Sequence, residues 1–162
     1  METGEIIEEF QNKNVSHSLI LRKLDYNDIN KGFFELLSQL TSAEKPTEEA
    51  FKERLDLINR RNVEQIFVIE SKAESKIIGT ITVFIEMKFI HGINQVGHIE
   101  DFVVDKNFRG LKLGKKLMNV AKNFCLENNC YKIILDCEDS LIPLYERFGF
   151  KKKANSMQLY YI

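Results

Sequence analysis

The chain has 162 residues, of which 44% are hydrophobic and 29% are charged, and its formal net charge is −1. A globular chain of this length buries roughly 70% of the surface that its unfolded form exposes, so we expect one compact domain over residues 1–162. The balanced charge excludes nucleic acid or an anionic membrane as a partner held by bulk electrostatic attraction.

The first third of the chain predicts a short strand followed by two helices. After a polar arm of about fifteen residues, 19–24 is a short extended run. A helix then runs from Asp28, which fits the role of an N-cap, to Thr41, because its apolar residues recur at three- and four-residue spacing. A second helix begins near Thr47, since two acidic residues follow there and suit the positive end of the helix dipole.

Beyond these helices the apolar period changes to two residues, which is typical of strands. The runs 66–70 and 77–89 predict an antiparallel hairpin, and a strand at 98–104 leads through a basic segment into a helix that begins near Leu113. The remaining elements are a buried strand at 131–137, a short helix at 141–148 and C-terminal extended pieces. The order β-α-α-β-β-β-α-β-α-β predicts an α/β fold whose mixed, mostly antiparallel central sheet is flanked by helices.

Several classes of site and segment have no matching pattern. No apolar run reaches the length of a membrane span, and the acidic residues 1–10 lack the basic and apolar regions of a secretory signal. The three cysteines, an odd number, are interpreted as reduced thiols, so we expect a cytoplasmic protein. The spacing of cysteine and histidine fits no metal site, so we expect no metal.

The segment 106–116 carries the strongest chemical signal. A predicted strand enters a basic loop with Gly110, and the loop opens directly into a helix. The first turn of a helix has unpaired N–H groups and partial positive charge, so such a loop suits a pyrophosphate, with Arg109, Lys112 and Lys115 adding charge. An ordinary βα turn with solvated lysines is the structural alternative. The spacing differs from that of P-loops and Rossmann loops.

This segment also resembles the pyrophosphate loop of the GNAT acetyltransferase superfamily, R/Q-x-x-G-x-G/A. Arg109 and Gly114 occupy its ends, and Lys112 stands where the superfamily most often has its first glycine. Blocks between Gly32 and Phe150 resemble, in the same order, those of the glucosamine-6-phosphate N-acetyltransferases. They include Lys88-Phe89-Ile90-His91, Glu100-Asp101, Leu135-Asp136-Cys137 and Leu144-Tyr145-Glu146-Arg147-Phe148.

The resemblance implies the GNAT fold and direct transfer of an acetyl group from acetyl-CoA to the 2-amino group of glucosamine 6-phosphate, a step toward UDP-N-acetylglucosamine. It also implies a homodimer with shared sites, and the apolar C-terminal segment 157–162 would be an exposed edge in a monomer. The acetyl-CoA site that it implies consists of Phe102, Val103, Val104, Arg109, Gly110, Leu111, Lys112, Leu113, Gly114, Lys115, Tyr145 and Arg147.

The resemblance implies four catalytic residues, which are Glu100, Asp101, Asp136 and Tyr145. Carboxylates can hold a cationic amine and take its proton, and a tyrosine hydroxyl can protonate the departing CoA sulfur. The structural alternatives are a strand-end ion pair for Glu100 or Asp101, a helix cap for Asp136 and the inner face of a helix for Tyr145. His91 and His98 fit a core or interface better than catalysis.

The same resemblance implies that the substrate is bound by six residues. Thr41, Lys88 and Lys132 lie at its phosphate, with Arg147 serving either this phosphate or the CoA, and the carboxylates of Glu100, Asp101 and Asp136 lie at its sugar and amino group. Lys88 and Lys132 favour a phosphorylated substrate because they supply the cations that a phosphate requires. Two other functions stay open. One is a GNAT enzyme that acetylates a protein or a polyamine, and the other is a sensor that binds acyl-CoA without catalysis.

Overall fold

The structure, a computed structural model, describes residues 5–12 and 18–161. The strands are β1 (Ile6–Gln11), β2 (Ser18–Lys23), β3 (Glu64–Ser71), β4 (Lys76–Met87), β5 (Gln95–Val104) and β6 (Cys130–Ile134). The helices are α1 (Phe33–Leu37), α2 (Glu48–Arg61), α3 (Ile90–Ile93), α4 (Leu113–Glu127) and α5 (Ile142–Arg147). In the described part of the chain, no helix has both the length and the apolar character that crossing a membrane requires.

The six strands form one sheet in chain order, β1-β2-β3-β4-β5-β6. Every neighbouring pair is antiparallel except β5 and β6, which are parallel. Parallel strands need a crossover, and α4 provides it between β5 and β6. The predicted mixed, mostly antiparallel sheet with flanking helices is therefore confirmed.

Helices cover both faces of the sheet. The core on the α4 face includes Ile81, Val83, Leu117, Met118 and Ala121, and the core on the opposite face includes Phe33, Leu36, Phe51, Leu55 and Val68. Gly97 of β5 lets α4 lie close to the sheet, because a Cβ atom there would be 2.3 Å from Cys125 Sγ. This close packing places the first turn of α4 beside the end of β5.

The predicted helix that begins at Asp28 is wrong in its start and its continuity. A 3-10 helix spans Tyr26–Asn30 and is capped by Asp25, while α1 starts only after Gly32, whose φ is +76°. Asp28 is fully buried and accepts hydrogen bonds from both terminal nitrogens of Arg22, at 2.6 and 2.7 Å. A buried guanidinium requires paired carboxylates, so tertiary charge pairing decides the backbone here. The predicted Thr47 cap of α2 is confirmed.

Both ends of the chain differ from the prediction. The polar arm contains β1, which pairs with β2, although residues 1–4 and 13–17 lie outside the described residues. No strand forms between residues 149 and 161, so the predicted C-terminal strand is absent from the part described. The predicted strand at 131–137 is shorter, and its side chains are half-buried or exposed rather than buried on both faces. The reason is that β6 is the last strand of the sheet.

Candidate active site

The two parallel strands separate partway along their length. The last pair between β5 and β6 joins His98 to Ile134, while β5 continues to Val104 and pairs there only with β4. A bulge interrupts the β4–β5 pairing opposite Thr80 and Thr82, and Asp101 within it has a φ of +46°. Bulges of this kind redirect backbone groups out of the sheet. Beyond His98 and Ile134 the two strands leave a gap between them, and the second half of β5 presents a free backbone edge to this gap.

Three of the predicted carboxylates lie together at this gap. Glu100 and Asp136 each follow the last β5–β6 pair by two residues, on their respective strands. Burial raises the pKa of Glu100, and the negative charges of Asp101 and Asp136 raise it further. Burial also raises the pKa of Asp101, while Asp136 accepts a hydrogen bond of 2.9 Å from Ser156 Oγ. The structure exposes Asp136, although its strand was predicted to be buried.

Tyr145 of α5 lies on the opposite side of the gap. Its ring centroid is 6.3 Å from that of Phe102 on β5 and 6.1 Å from that of Phe150. Burial raises the pKa of the Tyr145 hydroxyl, and the nearby Cys137 raises it further, so the group stays protonated at neutral pH. Among residues 5–12 and 18–161 the hydroxyl has no hydrogen-bond partner. It is therefore a free proton donor beside β5.

The loop before α4 has the backbone of an anion site. Gly110 has a φ of +80°, and no atom lies within 4 Å of the position of a Cβ there. Lys112 is the N-cap of α4 with a φ of +61°, and no side chain caps the helix. The left-handed conformation, which costs a non-glycine residue about 1 kcal/mol, suits the glycine that the superfamily most often has here. Within the described residues, the N–H groups of Leu113 and Gly114 have no acceptor and thus remain available.

The charges around this loop are also available. Within the described ranges, Arg109, Lys112 and Lys115 form no ion pair, whereas Lys116 pairs with Glu8 at 2.5 Å. Positive charge is therefore concentrated where the helix dipole also favours an anion. Unpaired cations beside the start of a helix are the arrangement that the predicted pyrophosphate site requires.

Five other residues predicted for acetyl-CoA are packed against the rest of the protein, which leaves mainly their backbone groups to face a ligand. Val103 and Leu113 are buried in the two cores. Leu111 and Val104 are half-buried against the α4 core. Gly114 is packed too closely for a side chain, because a Cβ there would lie 3.2 Å from Phe102 Cζ.

The residues predicted to bind the phosphate of the sugar come from different elements of the fold. The Lys88 ammonium pairs with the Glu86 carboxylate, which also contacts His98 Nε2 at 3.0 Å. Lys132 is exposed, with its Nζ 5.5 Å from the centroid of the Tyr131 ring. Thr41 is exposed after α1. Arg147, which is predicted to bind acetyl-CoA, is also exposed and donates to the Pro143 carbonyl of its own helix at 3.3 Å.

Strand pairing places several of the residues predicted to bind the substrate on one face of the sheet. Thr82 pairs with Glu100, Phe84 with His98, and Lys132 with Val96. Directly paired residues point to the same face and alternate residues share it. Glu100, His98 and Lys132 therefore lie on one face, together with Glu86. His91 is exposed, and its ring packs on Tyr131 with centroids 4.6 Å apart.

Sequence reasoning missed the residues that support the loop. Asp105 is buried and accepts hydrogen bonds from Asn107 N at 2.9 Å and from Lys76 Nζ at 2.8 Å. Gln39 accepts one from Lys106 N at 3.0 Å. An aspartate at a strand end before a helical turn has the pattern of an N-cap, so Asp105 had a readable signal. The partners Lys76 and Gln39 had none. Within the described residues, no group of His, Cys, Asp and Glu could hold a metal ion.

Comparison with known proteins finds related sequences and structures over most of the chain. The family model described as "Acetyltransferase (GNAT) family" matches residues 30–150. Glucosamine 6-phosphate N-acetyltransferase of Arabidopsis thaliana is 41% identical over 142 residues, 87% of this chain and 95% of that protein. Glucosamine 6-phosphate N-acetyltransferase 1 of Dictyostelium discoideum is 37% identical over 147 residues, 90% of this chain and 93% of that protein.

The crystal structure of the Arabidopsis enzyme superposes on this one with a TM-score of 0.86. The superposition covers 89% of this chain and 99% of that chain, at 41% sequence identity. This chain is therefore similar to the Arabidopsis enzyme in both sequence and fold.

Proposed function

This chain belongs to the acetyltransferase (GNAT) family and within it to the glucosamine 6-phosphate N-acetyltransferases, and we propose that it acetylates the 2-amino group of glucosamine 6-phosphate. Acetyl-CoA is the acetyl donor, and the products are N-acetylglucosamine 6-phosphate and CoA. The observation that carries the proposal is the gap between β5 and β6, where an uncapped basic loop and a cluster of three carboxylates flank the same free strand edge.

The loop and the strand edge supply complementary contacts for acetyl-CoA. The free N–H groups at the start of α4, with Arg109, Lys112 and Lys115, hold the pyrophosphate. The backbone of 102–104 faces the gap and offers hydrogen bonds to the amide groups of the pantetheine arm. Tyr145 lies across the gap from Phe102, where its hydroxyl can reach the sulfur. The cofactor is thereby bound along β5 with its phosphates at the loop.

The transfer forms a C–N bond and breaks a C–S bond. The amine must be neutral to attack, so its ammonium form first loses a proton to a carboxylate. Glu100 is suited to accept it, since its raised pKa brings it closer to neutral pH. Asp101 and Asp136 hold the amino group by charge. The Tyr145 hydroxyl then gives its proton to the departing CoA thiolate. The nitrogen loses its second proton as it becomes an amide, and that proton restores the Tyr145 hydroxyl through solvent, while Glu100 releases the first proton to solvent.

The exposed Lys132 supports a phosphorylated substrate. It shares a sheet face with Glu100, and its ammonium forms no ion pair with any described residue. A phosphate bound there would leave the amino sugar on the face that carries the carboxylates. Lys88 can bind the phosphate only after its ion pair with the Glu86 carboxylate breaks. Thr41 can donate a hydrogen bond from its hydroxyl to the same phosphate.

Release of free thiol from acetyl-CoA tests this function. We expect release with glucosamine 6-phosphate, much slower release with glucosamine, and none with a lysine peptide. Faster release with the peptide or with a polyamine would favour the alternative GNAT activity. Binding of acetyl-CoA without any release, unchanged by Tyr145→Phe and Asp136→Asn, would favour a sensor.

A second copy of this chain fits the open side of β6. A cavity of about 1210 Å³ lies among α4, β6, α5 and residues 151–156. Met157 and Tyr161 are at least 90% exposed, and they belong to a C-terminal segment, 157–161, without described strand structure. An apolar segment beside an unpaired strand edge favours pairing between chains. We therefore propose a homodimer in which this segment covers the partner's β6 and completes the sugar site.

A further inference from the structure

We propose that the N-terminal strand β1 and Asn12, which follows it, position the pyrophosphate loop for acetyl-CoA. The inference rests on the proposed function. Asn12 Nδ2 donates a hydrogen bond of 2.7 Å to the carbonyl oxygen of Leu111, 99 residues away in the sequence. Leu111 lies between Gly110 and Lys112, in the middle of the loop. The contact therefore joins the first strand of the chain directly to the anion site.

The loop needs such a tether because, within the described residues, its middle is held by little besides the packing of the Leu111 side chain against the α4 core. Its entrance is fixed by Asp105, and its exit by Leu113 in the α4 core. Between them, Gly110 has open space around it. Of the side chains that the structure describes, only that of Asn12 hydrogen-bonds to the backbone of residues 109–112.

The hydrogen bond also orients a donor toward the ligand. In a trans peptide the carbonyl oxygen and the following N–H point in opposite directions. Because Asn12 holds the Leu111 carbonyl, the N–H of Lys112 faces away from β1. This N–H has no acceptor within residues 5–12 and 18–161. A carbonyl turned the other way would instead present its negative end to the pyrophosphate.

A second contact fastens the same strand to the first turn of α4. Lys116 Nζ is 2.5 Å from Glu8 Oε1 and 4.0 Å from the centroid of the Phe10 ring. The Phe10 side chain packs against the α4 core. Strand, loop and helix start are thus held as one unit before the cofactor arrives. Preorganisation of this kind reduces the entropy lost on binding.

The expected consequence is a selective loss of cofactor affinity when the tether is removed. Asn12→Ala should weaken CoA binding and raise the KM for acetyl-CoA by about 5-fold, the net value of one hydrogen bond. The kcat and the KM for glucosamine 6-phosphate should stay within about twofold of wild type, because no reacting group is touched. Asn12→Asp, which keeps the size but loses the amide donor, should weaken CoA binding at least as much.

Glu9→Gln is the matched control on the same strand. Glu9 pairs with Lys72 at 3.0 Å and has no described contact with the loop. It should bind CoA and turn over as wild type does. Isothermal titration calorimetry with CoA and steady-state kinetics of the full chain measure these quantities, with thermal unfolding midpoints recorded for all variants.

Three results would overturn the proposal. They are CoA binding by Asn12→Ala equal to that of wild type, a fall in kcat without a change in the KM for acetyl-CoA, and an equal loss of affinity in Glu9→Gln. Wild-type protein that binds no CoA would overturn the proposed function itself, and this inference with it.

Discussion

At the scale of single residues, the arrangement of charge determines what the site can do. Glu100 has a raised pKa because it is partly buried and faces two further carboxylates, Asp101 and Asp136. Such clusters are unfavourable unless a cation joins them, and the amino group of a sugar is such a cation. Opposite them, the free Tyr145 hydroxyl retains its proton at neutral pH. The proton acceptor and the proton donor are thereby separated across the gap.

Asp136→Asn should lower kcat by about 100-fold, within the range of one positioned acid–base group, and leave CoA affinity unchanged. It should also move the acidic limb of the kcat–pH profile to lower pH. Glu100 accepts a proton only when ionised, so activity falls as the pH drops through its pKa. Removing the negative charge of Asp136 lowers that pKa. Asp139→Asn, at an exposed carboxylate paired with Lys152, is the control. A wild-type rate in Asp136→Asn contradicts the assignment.

Tyr145→Phe should reduce kcat by about 100-fold with little change in either KM. The substitution keeps the ring contacts with Phe102 and Phe150 and removes only the hydroxyl. Stopped-flow detection of thiol release would measure the effect, and Tyr131→Phe on β6 serves as a control. A rate close to wild type would show that another group, or water, protonates the thiolate.

Lys132→Met should raise the KM for glucosamine 6-phosphate by about 10-fold and leave the KM for glucosamine nearly unchanged, because only the phosphate needs the ammonium. Lys52→Met provides a matched control, since Lys52 also lies over a tyrosine, 6.0 Å from the Tyr26 ring centroid. Initial-rate measurements with both sugars give the two KM values. An equal effect on the two sugars rules out a phosphate contact.

At the scale of elements, the site depends on how closely α4 approaches the sheet. The helix crosses over between β5 and β6, and its first turn must lie at the end of β5 to form the loop. Gly97 makes the approach possible, because even one methyl group there would overlap Cys125. Packing at Gly97 thus positions the loop about thirteen residues further along the chain.

Gly97→Ala should lower the free energy of unfolding by about 1–3 kcal/mol, the usual cost of overpacking a core. Cys125→Ala in the same chain should recover part of this loss, since it removes the atom that the new methyl group meets. Urea denaturation of the two single variants and the double variant gives the coupling energy. If the losses of unfolding free energy in the two single variants simply add in the double variant, the new methyl group at residue 97 does not act through Cys125.

At the scale of the whole molecule, a single chain exposes a strand edge and an apolar segment to solvent. The edge of β6 and the segment 157–161 are both exposed, and the Lys88 ammonium is paired with the Glu86 carboxylate. A second copy would cover the apolar segment and bring further side chains to the sugar. The proposed homodimer would therefore account both for the uncovered edge and for the small number of cations at the proposed phosphate site.

Leu159→Lys should shift the protein from dimer to monomer, because Leu159 is 76% exposed in the segment proposed to cover the partner's β6. A charge buried in that contact would be unfavourable. Size-exclusion chromatography with light scattering measures the mass, and Leu57→Lys on α2 is the control. A wild-type protein that is monomeric at all concentrations would contradict the proposed homodimer.

Much of this protein could be read from its sequence. The two-residue and helical periods indicated β3, β4, β5, α2 and α4, because local alternation of apolar residues reflects which face is buried. The loop from Arg109 to Gly114 was also predicted, since its chemistry lies within six consecutive residues. Family resemblance added the carboxylates and Tyr145, and the structure brings these side chains to one gap.

Only the tertiary structure decided the remainder, because it depends on residues far apart in the chain. Arg22 recruits Asp28 and so divides a predicted helix, and Asn12 reaches Leu111 across 99 residues. The spacing of apolar and polar residues along the sequence does not predict such long-range contacts. The C-terminal segment shows the same limit at larger scale, since its apolar pattern does not specify which strand edge, in this chain or in a second copy, it pairs with.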